Sequence, residues 1–288
     1  MHRPAPGEES TGTKTNPDLR GLYLDLLERA LTHTLYYPPD TRELPEHVKE
    51  AFAKEFLRLG VAQQFLRLNE PQDSRDAERR AEGKDWPVYA QTMVGQMRLR
   101  NVRNCVETAL ADGVPGDLIE AGCWRGGVAI LMRGILRAYG VEDRLVWAAD
   151  SFSGLPEPDE RRYPADSGDV GHTLRELAVD IDTVRDNFRR YELFDDQVKL
   201  LPGWFNETLP TVRDRRWAVV RLDGDLYEST MDGLVNLYPG LSPGGYVIVD
   251  DYGFDNCRAA VEDYRREHGI SDEIQRIDWT GAFWRRST

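Results

Sequence analysis

Two hydrophobic rhythms divide this chain. Before Pro115-Gly116 the apolar positions recur three and four apart; after it they gather into short runs separated by helical stretches. Leu19, Leu22, Tyr23, Leu26, Leu27, Ala30 and Leu31 mark one face of an amphipathic helix, which Pro38-Pro39 closes. A second helix is predicted over 45–59, where Pro45 suits a first helical turn. The charged stretch 70–84 reads as a loop or a short exposed helix, and 88–110 as one long helix rich in Met and Arg. Residues 1–16, polar with Pro, Gly, Ser and Thr, are predicted to be disordered and to carry no chemistry.

Beyond residue 115 the pattern is an alternation of strands and helices. Strands are predicted near 118–121, 145–149, 198–201, 217–222 and 246–249, with weaker runs at 273–277 and 282–285. Helices are predicted near 128–139, 181–191, 230–238 and 256–268. The expected fold is α/β, a doubly wound seven-stranded sheet covered on both faces, with an N-terminal helical appendage. The implied organisation is a tail over 1–16, a helical region over 17–115 and a cofactor-binding domain over 116–288. The loop from Phe152 to about Thr173 follows the second strand, is rich in Pro, Gly and acids, and reads as a lid over the ligand edge.

In such a sheet, ligands bind outside the carboxyl ends of the strands. Asp223 closes the run Ala218 to Leu222, and Asp250-Asp251 close Tyr246 to Val249, one strand-helix-strand unit later. Three carboxylates delivered to neighbouring strand ends suit a hard cation such as Mg2+, and the lack of nearby Cys or His disfavours zinc. Asp225 and Asp251 could instead cap a helix or turn. Glu120-Ala121-Gly122-Cys123-Trp124-Arg125-Gly126-Gly127 joins a strand to a helix with glycines that let the backbone approach a ligand. Its spacing is not the Gly-x-Gly-x-x-Gly of a dinucleotide site. Asp150, ending the next strand, is placed to accept ribose hydroxyls, so an adenosine cofactor without a pyrophosphate is expected. The loop Pro202-Gly203-Trp204-Phe205 offers aromatics to wall an adenine or to enter the core.

Charge narrows the partners. A net charge of −13 over 288 residues argues against a nucleic-acid backbone, which needs a basic footprint, and clusters such as Arg79-Arg80 and Arg213 to Arg216 read as solvated faces. No run approaches the roughly 18 apolar residues of a membrane span, and the first residues lack the core of a signal peptide, so the expectation is a cytoplasmic protein. Cys105, Cys123 and Cys257 are too scattered for a disulfide framework or a zinc site and read as buried thiols.

From about Glu82 onward the chain resembles the macrocin O-methyltransferase family, which includes the noviose and mycinose O-methyltransferases of antibiotic biosynthesis. The matching stretches are Gly83-Lys84-Asp85-Trp86-Pro87, Thr92-Met93-Val94-Gly95, Glu120 to Gly127, Ala149-Asp150-Ser151-Phe152, Gly203-Trp204-Phe205, Arg221 to Thr230 and Gly244 to Tyr252. The resemblance implies a class I methyltransferase with a Rossmann-like sheet, using S-adenosylmethionine and Mg2+ to methylate a deoxysugar hydroxyl on a glycosylated natural product. It implies a cofactor held by Thr92, Met93, Glu120, Ala121, Gly122, Arg125, Gly126, Asp150, Ser151, Gly203, Trp204 and Asp223. It implies a metal on Asp223, Asp250 and Asp251, with Asp223 as general base. His172, on the loop, is a rival base. A dehydrogenase acting on a sugar or alcohol and a catechol-type O-methyltransferase are the alternative activities. A homo-oligomer is expected, with no nucleic acid or membrane partner.

Overall fold

The computed structural model describes residues 18–35, 75–85 and 87–287; the expected tail over 1–16 and the helix expected over 45–59 lie outside them. Helices α1 (Leu19–Leu31), α2 (Arg75–Glu82) and α3 (Gln96–Ala111) precede the first strand, β1 (Asp117–Ala121). Then follow α4 (Gly127–Ala138), β2 (Val146–Asp150), α5 (Ile181–Arg190), β3 (Val198–Pro202) and the single turn α6 (Phe205–Thr208). The chain closes with β4 (Trp217–Leu222), α7 (Tyr227–Leu237), β5 (Leu241–Val249), α8 (Asp255–Glu267), β6 (Gln275–Arg276) and β7 (Ala282–Arg285).

The strands form one seven-stranded sheet in the order β3-β2-β1-β4-β5-β7-β6, parallel from β3 to β5 and antiparallel at β7 and β6. The direction of winding reverses between β1 and β4, which opens a crevice at their carboxyl ends. Register sets what meets there. Ala121 pairs with Leu222 and Leu222 with Val249, so Gly122, Asp223 and Asp250 leave the sheet at the same level.

Side-chain alternation along the strands builds two cores. Leu118, Ala148, Val219 and Ile248 point to a face covered by α1, α3, α4 and α5, and Ile119, Trp147, Val220 and Val247 to a face covered by α7 and α8. Helix α4 is buried along nearly its whole length because α1 and α3 cover it, and a Cβ at Gly134 would lie 2.4 Å from Leu27 Cδ2. The N-terminal helices therefore share the core of the sheet. On the outer side of α1, Leu19, Leu22 and Leu26 are exposed.

Several expected boundaries move, each for a tertiary reason. The helix expected over 88–110 begins only at Gln96, because the carbonyls of Val88 and Ala90 accept from Arg125 at 2.9 and 2.8 Å and that of Gln91 accepts from Gly127 N at 3.0 Å. Carbonyls engaged elsewhere cannot close helical turns. Arg80, expected on a solvated face, is buried and donates to Asp85 and to the Met93 and Val94 carbonyls. Strand β5 starts five residues before the expected Tyr246, since Leu241 already pairs with Trp217 ahead of a register shift that admits Pro243-Gly244-Gly245. Helix α7 starts at Tyr227 instead of Thr230 because a distant aspartate caps it. All three cysteines are free and buried.

Candidate active site

Gly122 is the first residue past β1, and with φ at 91° its Cβ position lies 1.7 Å from the Asp223 carbonyl oxygen, so only glycine fits. The exits of β1 and β4 are thereby pressed together. The turn passes through Trp124 (φ 48°) and Gly126 (φ 85°) before α4 begins. Cys123 N and Trp124 N both donate to Asp150 Oδ2, at 2.8 and 3.0 Å, and Phe152 N donates to Asp150 Oδ1 at 2.8 Å. The carboxylate at the end of β2 thus buckles the glycine turn to the sheet. Burial raises its pKa, and the amide bonds oppose the rise.

A cavity of about 300 Å³ opens beside this buckle, within the range of small-molecule sites. Gly122, Asp150, Ser151, Trp204 and Asp223 of the expected cofactor residues line it, together with Phe205, Asn206, the loop residues Gly154, Leu155 and Pro156, and Glu228 and Asp232 of α7. The other expected residues stand behind the wall. Thr92 is buried against the turn, its Cβ 2.7 Å from where Gly127 would carry one. Arg125 lies over the Trp124 ring at 4.0 Å while holding residues 88–90, and the Met93 carbonyl accepts from Arg80. Glu120 accepts from Ala129 N at 2.8 Å and from Arg221 Nη1 at 2.6 Å, and burial pushes its pKa up to about 8 against the pull of Arg221. Ala121, Gly126 and Gly203 contribute backbone shape. His172 is exposed and does not line the cavity.

The acids at the strand ends are divided by two arginines. Asp250 accepts from Arg221 Nη2 on one oxygen and from Arg98 Nη1 on the other. Burial favours its neutral form, but the two guanidiniums overcome that and hold its pKa below the usual carboxylate range. Asp223 accepts from Arg221 Nη2 at 2.9 Å; burial and the charge of Asp250 raise its pKa to about 6. Among the described residues no guanidinium bonds the oxygens of Asp251, and Arg98 acts on it only through its charge. Burial, then the charges of Asp225, Asp223 and Asp250, push its pKa well up. Ligand oxygens of Asp223, Asp225 and Asp251 lie within 4.8 Å of one another, and Asp225, in the left-handed region at φ 61°, donates its N–H to Asp251 Oδ2 at 3.2 Å.

A hard divalent cation fits this donor set. Its atoms are all carboxylate oxygens, and both the burial that raises the pKa values of Asp223 and Asp251 and the repulsion from neighbouring carboxylates that adds to it are what a bound cation offsets. Asp223 and Asp251 belong both to the expected set and to the observed cluster. Asp225, read from the sequence only as a possible cap, is the third member in space. Asp250 is turned to the arginines, one on each oxygen. The sequence did not mark Arg98 and Arg221 as site residues: Arg221 reads as part of an apolar strand run, and the partners of Arg98 come from distant segments. The separation from Arg98 to Asp250 is 152 residues.

Comparison with known proteins assigns the lineage. The macrocin O-methyltransferase (TylF) family matches residues 20–286, nearly the whole chain. The chain belongs to this family. It is 51% identical over 276 residues to the 8-demethyl-8-(2,3-dimethoxy-alpha-L-rhamnosyl)-tetracenomycin-C 4'-O-methyltransferase of Streptomyces olivaceus, covering 94% of each chain. It is 47% identical to the mycinamicin III 3''-O-methyltransferase of Micromonospora griseorubida, covering 92% of this chain and 96% of that one. The solved structure of the O-methyltransferase NovP superposes with a TM-score of 0.79 at 46% identity, over 93% of this chain and all of that chain. Membership of the macrocin O-methyltransferase family makes the protein an S-adenosylmethionine-dependent O-methyltransferase with the class I fold and sets aside the dehydrogenase reading. Among the described residues no helix is long and apolar enough to cross a membrane.

Proposed function

We propose that this O-methyltransferase acts on a deoxysugar hydroxyl of a glycosylated natural product and uses Mg2+. The observation that supports it is the meeting of Asp223, which lines the cavity beside the glycine turn, with Asp225 and Asp251, in a family with a relative named for 4'-O-methylation of a rhamnosyl-tetracenomycin. Asp223 and Asp251 are the principal cation ligands, Asp225 faces them, and Asp250 can join by sharing the oxygens that it presents to Arg98 and Arg221. Held at this site, S-adenosylmethionine would supply an electrophilic methyl group and Mg2+ would supply Lewis-acid stabilisation of negative charge on the acceptor.

The chain's own residues do the rest. A sugar hydroxyl is almost fully protonated at neutral pH, so it needs a base within hydrogen-bond reach. Asp223 serves: it lines the cavity as a carboxylate, and because a cation on its oxygens lowers its basicity below that of the metal-free site, proton removal relies on the cation acidifying the hydroxyl. The glycine turn, Asp150 and Ser151 orient the donor, and Trp204 and Phe205 wall it. Gly154, Leu155 and Pro156 close the acceptor side against water. Orientation of the two reactants supplies much of the rate, up to about 7–11 kcal/mol in the best intramolecular cases.

The test is transfer from S-adenosylmethionine to a panel of deoxysugar glycosides and catechols, with and without a chelator. Methylation of glycosides that chelation abolishes is the expected result; methylation of catechols alone, or full activity under chelation, overturns it.

A further inference from the structure

Asp166 lies in the long loop after β2, within a single turn of 3-10 helix (Pro164–Asp166), and only 1% of it is exposed. A buried carboxylate in a loop of Pro, Gly and charged residues calls for an explanation. Its oxygens receive three donors from two other elements. Tyr227 N reaches Oδ1 at 2.7 Å, Glu228 N reaches Oδ2 at 3.1 Å, and Asn256 Nδ2 reaches Oδ1 at 3.0 Å. The first two are open amides of the first turn of α7. The residue at the N-cap of that helix is Leu226, whose side chain has nothing to offer them, so the cap comes from a segment 61 residues away.

The third donor reaches the acid cluster. Asn256 Nδ2 also donates to the Asp225 carbonyl at 3.0 Å, so its two hydrogens join Asp166 to Asp225. Asp225 needs that grip. It is a non-glycine residue at φ 61°, a conformation that persists only where its surroundings impose it. Its N–H is held by Asp251, its carbonyl by Asn256, and the next peptide is folded back by Leu226 N donating to the Gly224 carbonyl at 2.7 Å. On the loop side, the Tyr163 ring packs on that of Tyr227 at 5.9 Å, and the chain just upstream supplies Gly154, Leu155, Pro156 and Asp159 to the cavity wall.

We propose that Asp166 is a positioning residue: through Asn256 and the first turn of α7 it holds Asp225 on the acid cluster, so the loop that walls the acceptor side and the cluster assemble as one unit. A loop that leaves its place withdraws the cap and the Asn256 partner together, and Asp225 relaxes out of its left-handed conformation. The inference rests on the cation reading above, and its test separates the two.

The test compares the full chain with Asp166→Ala, Asn256→Ala and the double variant. Mn2+ alone is titrated by electron paramagnetic resonance, S-adenosylhomocysteine by calorimetry, and amide exchange is followed over 154–159 and 224–229. Loss of residues that orient ligands typically weakens a metal by about 10–100-fold, and a weakening of about tenfold or more is expected in each single variant. The double variant is expected to be no weaker than the worse single one, because both break one chain of contacts. Exchange is expected to rise in both segments, with S-adenosylhomocysteine affinity within about twofold of the parent, as the turn that binds it is untouched. Exchange rising in one segment alone, unchanged Mn2+ affinity in the variants, or loss of both ligands together overturns the proposal. If Asp166→Ala does not fold, Asp166→Asn, which keeps a carbonyl oxygen for Tyr227 N, carries the same comparison. A parent protein that takes up no Mn2+ overturns the cation reading and leaves the coupling to be decided by the two exchange segments.

Discussion

Arg98 and Asp250 form a buried ion pair, with side-chain exposures of 6% and 5%, that ties helix α3 to the end of β5. The same guanidinium donates through Nε to Asp278 at 2.7 Å and through Nη2 to Thr280, so it also fastens the turn between β6 and β7. One side chain from the N-terminal layer thus organises the edge at which the acids collect. Arg221 does the same from within the sheet, bridging Glu120, Asp223 and Asp250.

Breaking that pair is costly. Arg98→Leu leaves the Asp278 carboxylate buried without this cation and Asp250 with Arg221 alone, and removing one partner of a buried pair destabilises by about 3–5 kcal/mol. Urea unfolding of the variant is expected to show that loss; a change under about 1 kcal/mol means that Asp250 and Asp278 are satisfied by other groups.

Asp223→Ala is expected to remove methyl transfer while leaving a folded protein, because Asp223 sits past the end of β4 and outside both cores. Circular dichroism and a glycoside assay check this together. Retained turnover within about tenfold of the parent assigns the proton to another group.

Cation binding should depend on pH with a defined sign. Asp223, with its pKa raised to about 6, and Asp251, also raised by burial and the neighbouring carboxylates, carry protons at low pH that a cation must displace. Mn2+ affinity is therefore expected to increase from pH 5 to pH 8, with proton release on binding. Affinity that is flat over this range shows that these carboxylates are not the ligands.

Two aspartates compete for the third place in the cation site. Asp225→Asn removes a charge that faces Asp251, and Asp250→Asn removes one that is already matched by two guanidiniums. If the cation takes the oxygens as they stand in this structure, Asp225→Asn weakens Mn2+ more than Asp250→Asn does. The reverse order shows that Asp250 shares its oxygens with the cation.

Gly122→Ala places a methyl group 1.7 Å from the Asp223 carbonyl oxygen at a φ of 91°. The exits of β1 and β4 must then part. A loss of S-adenosylhomocysteine affinity of about tenfold or more is expected by calorimetry, together with about 2–4 kcal/mol of stability.

What the sequence determined by itself is the alternation of elements and the chemistry at the ends of the strands. Short apolar runs located the five parallel strands, whose side chains are largely buried on both faces of the sheet; β6, exposed along its two residues, left only a weak run. The same runs end at Gly122, Asp150, Asp223 and Asp250-Asp251, so the parts of the site were legible as strand termini. Tertiary structure alone decided how those parts face one another. Register brought Gly122, Asp223 and Asp250 to one level, two arginines drew Asp250 aside, and Asp166 extended α7 toward Asp225 and fixed its left-handed turn. These are pairings between residues far apart in the chain. Local propensity and periodicity describe neighbours, and they carry no information on which distant carboxylate will meet which guanidinium once the sheet has closed.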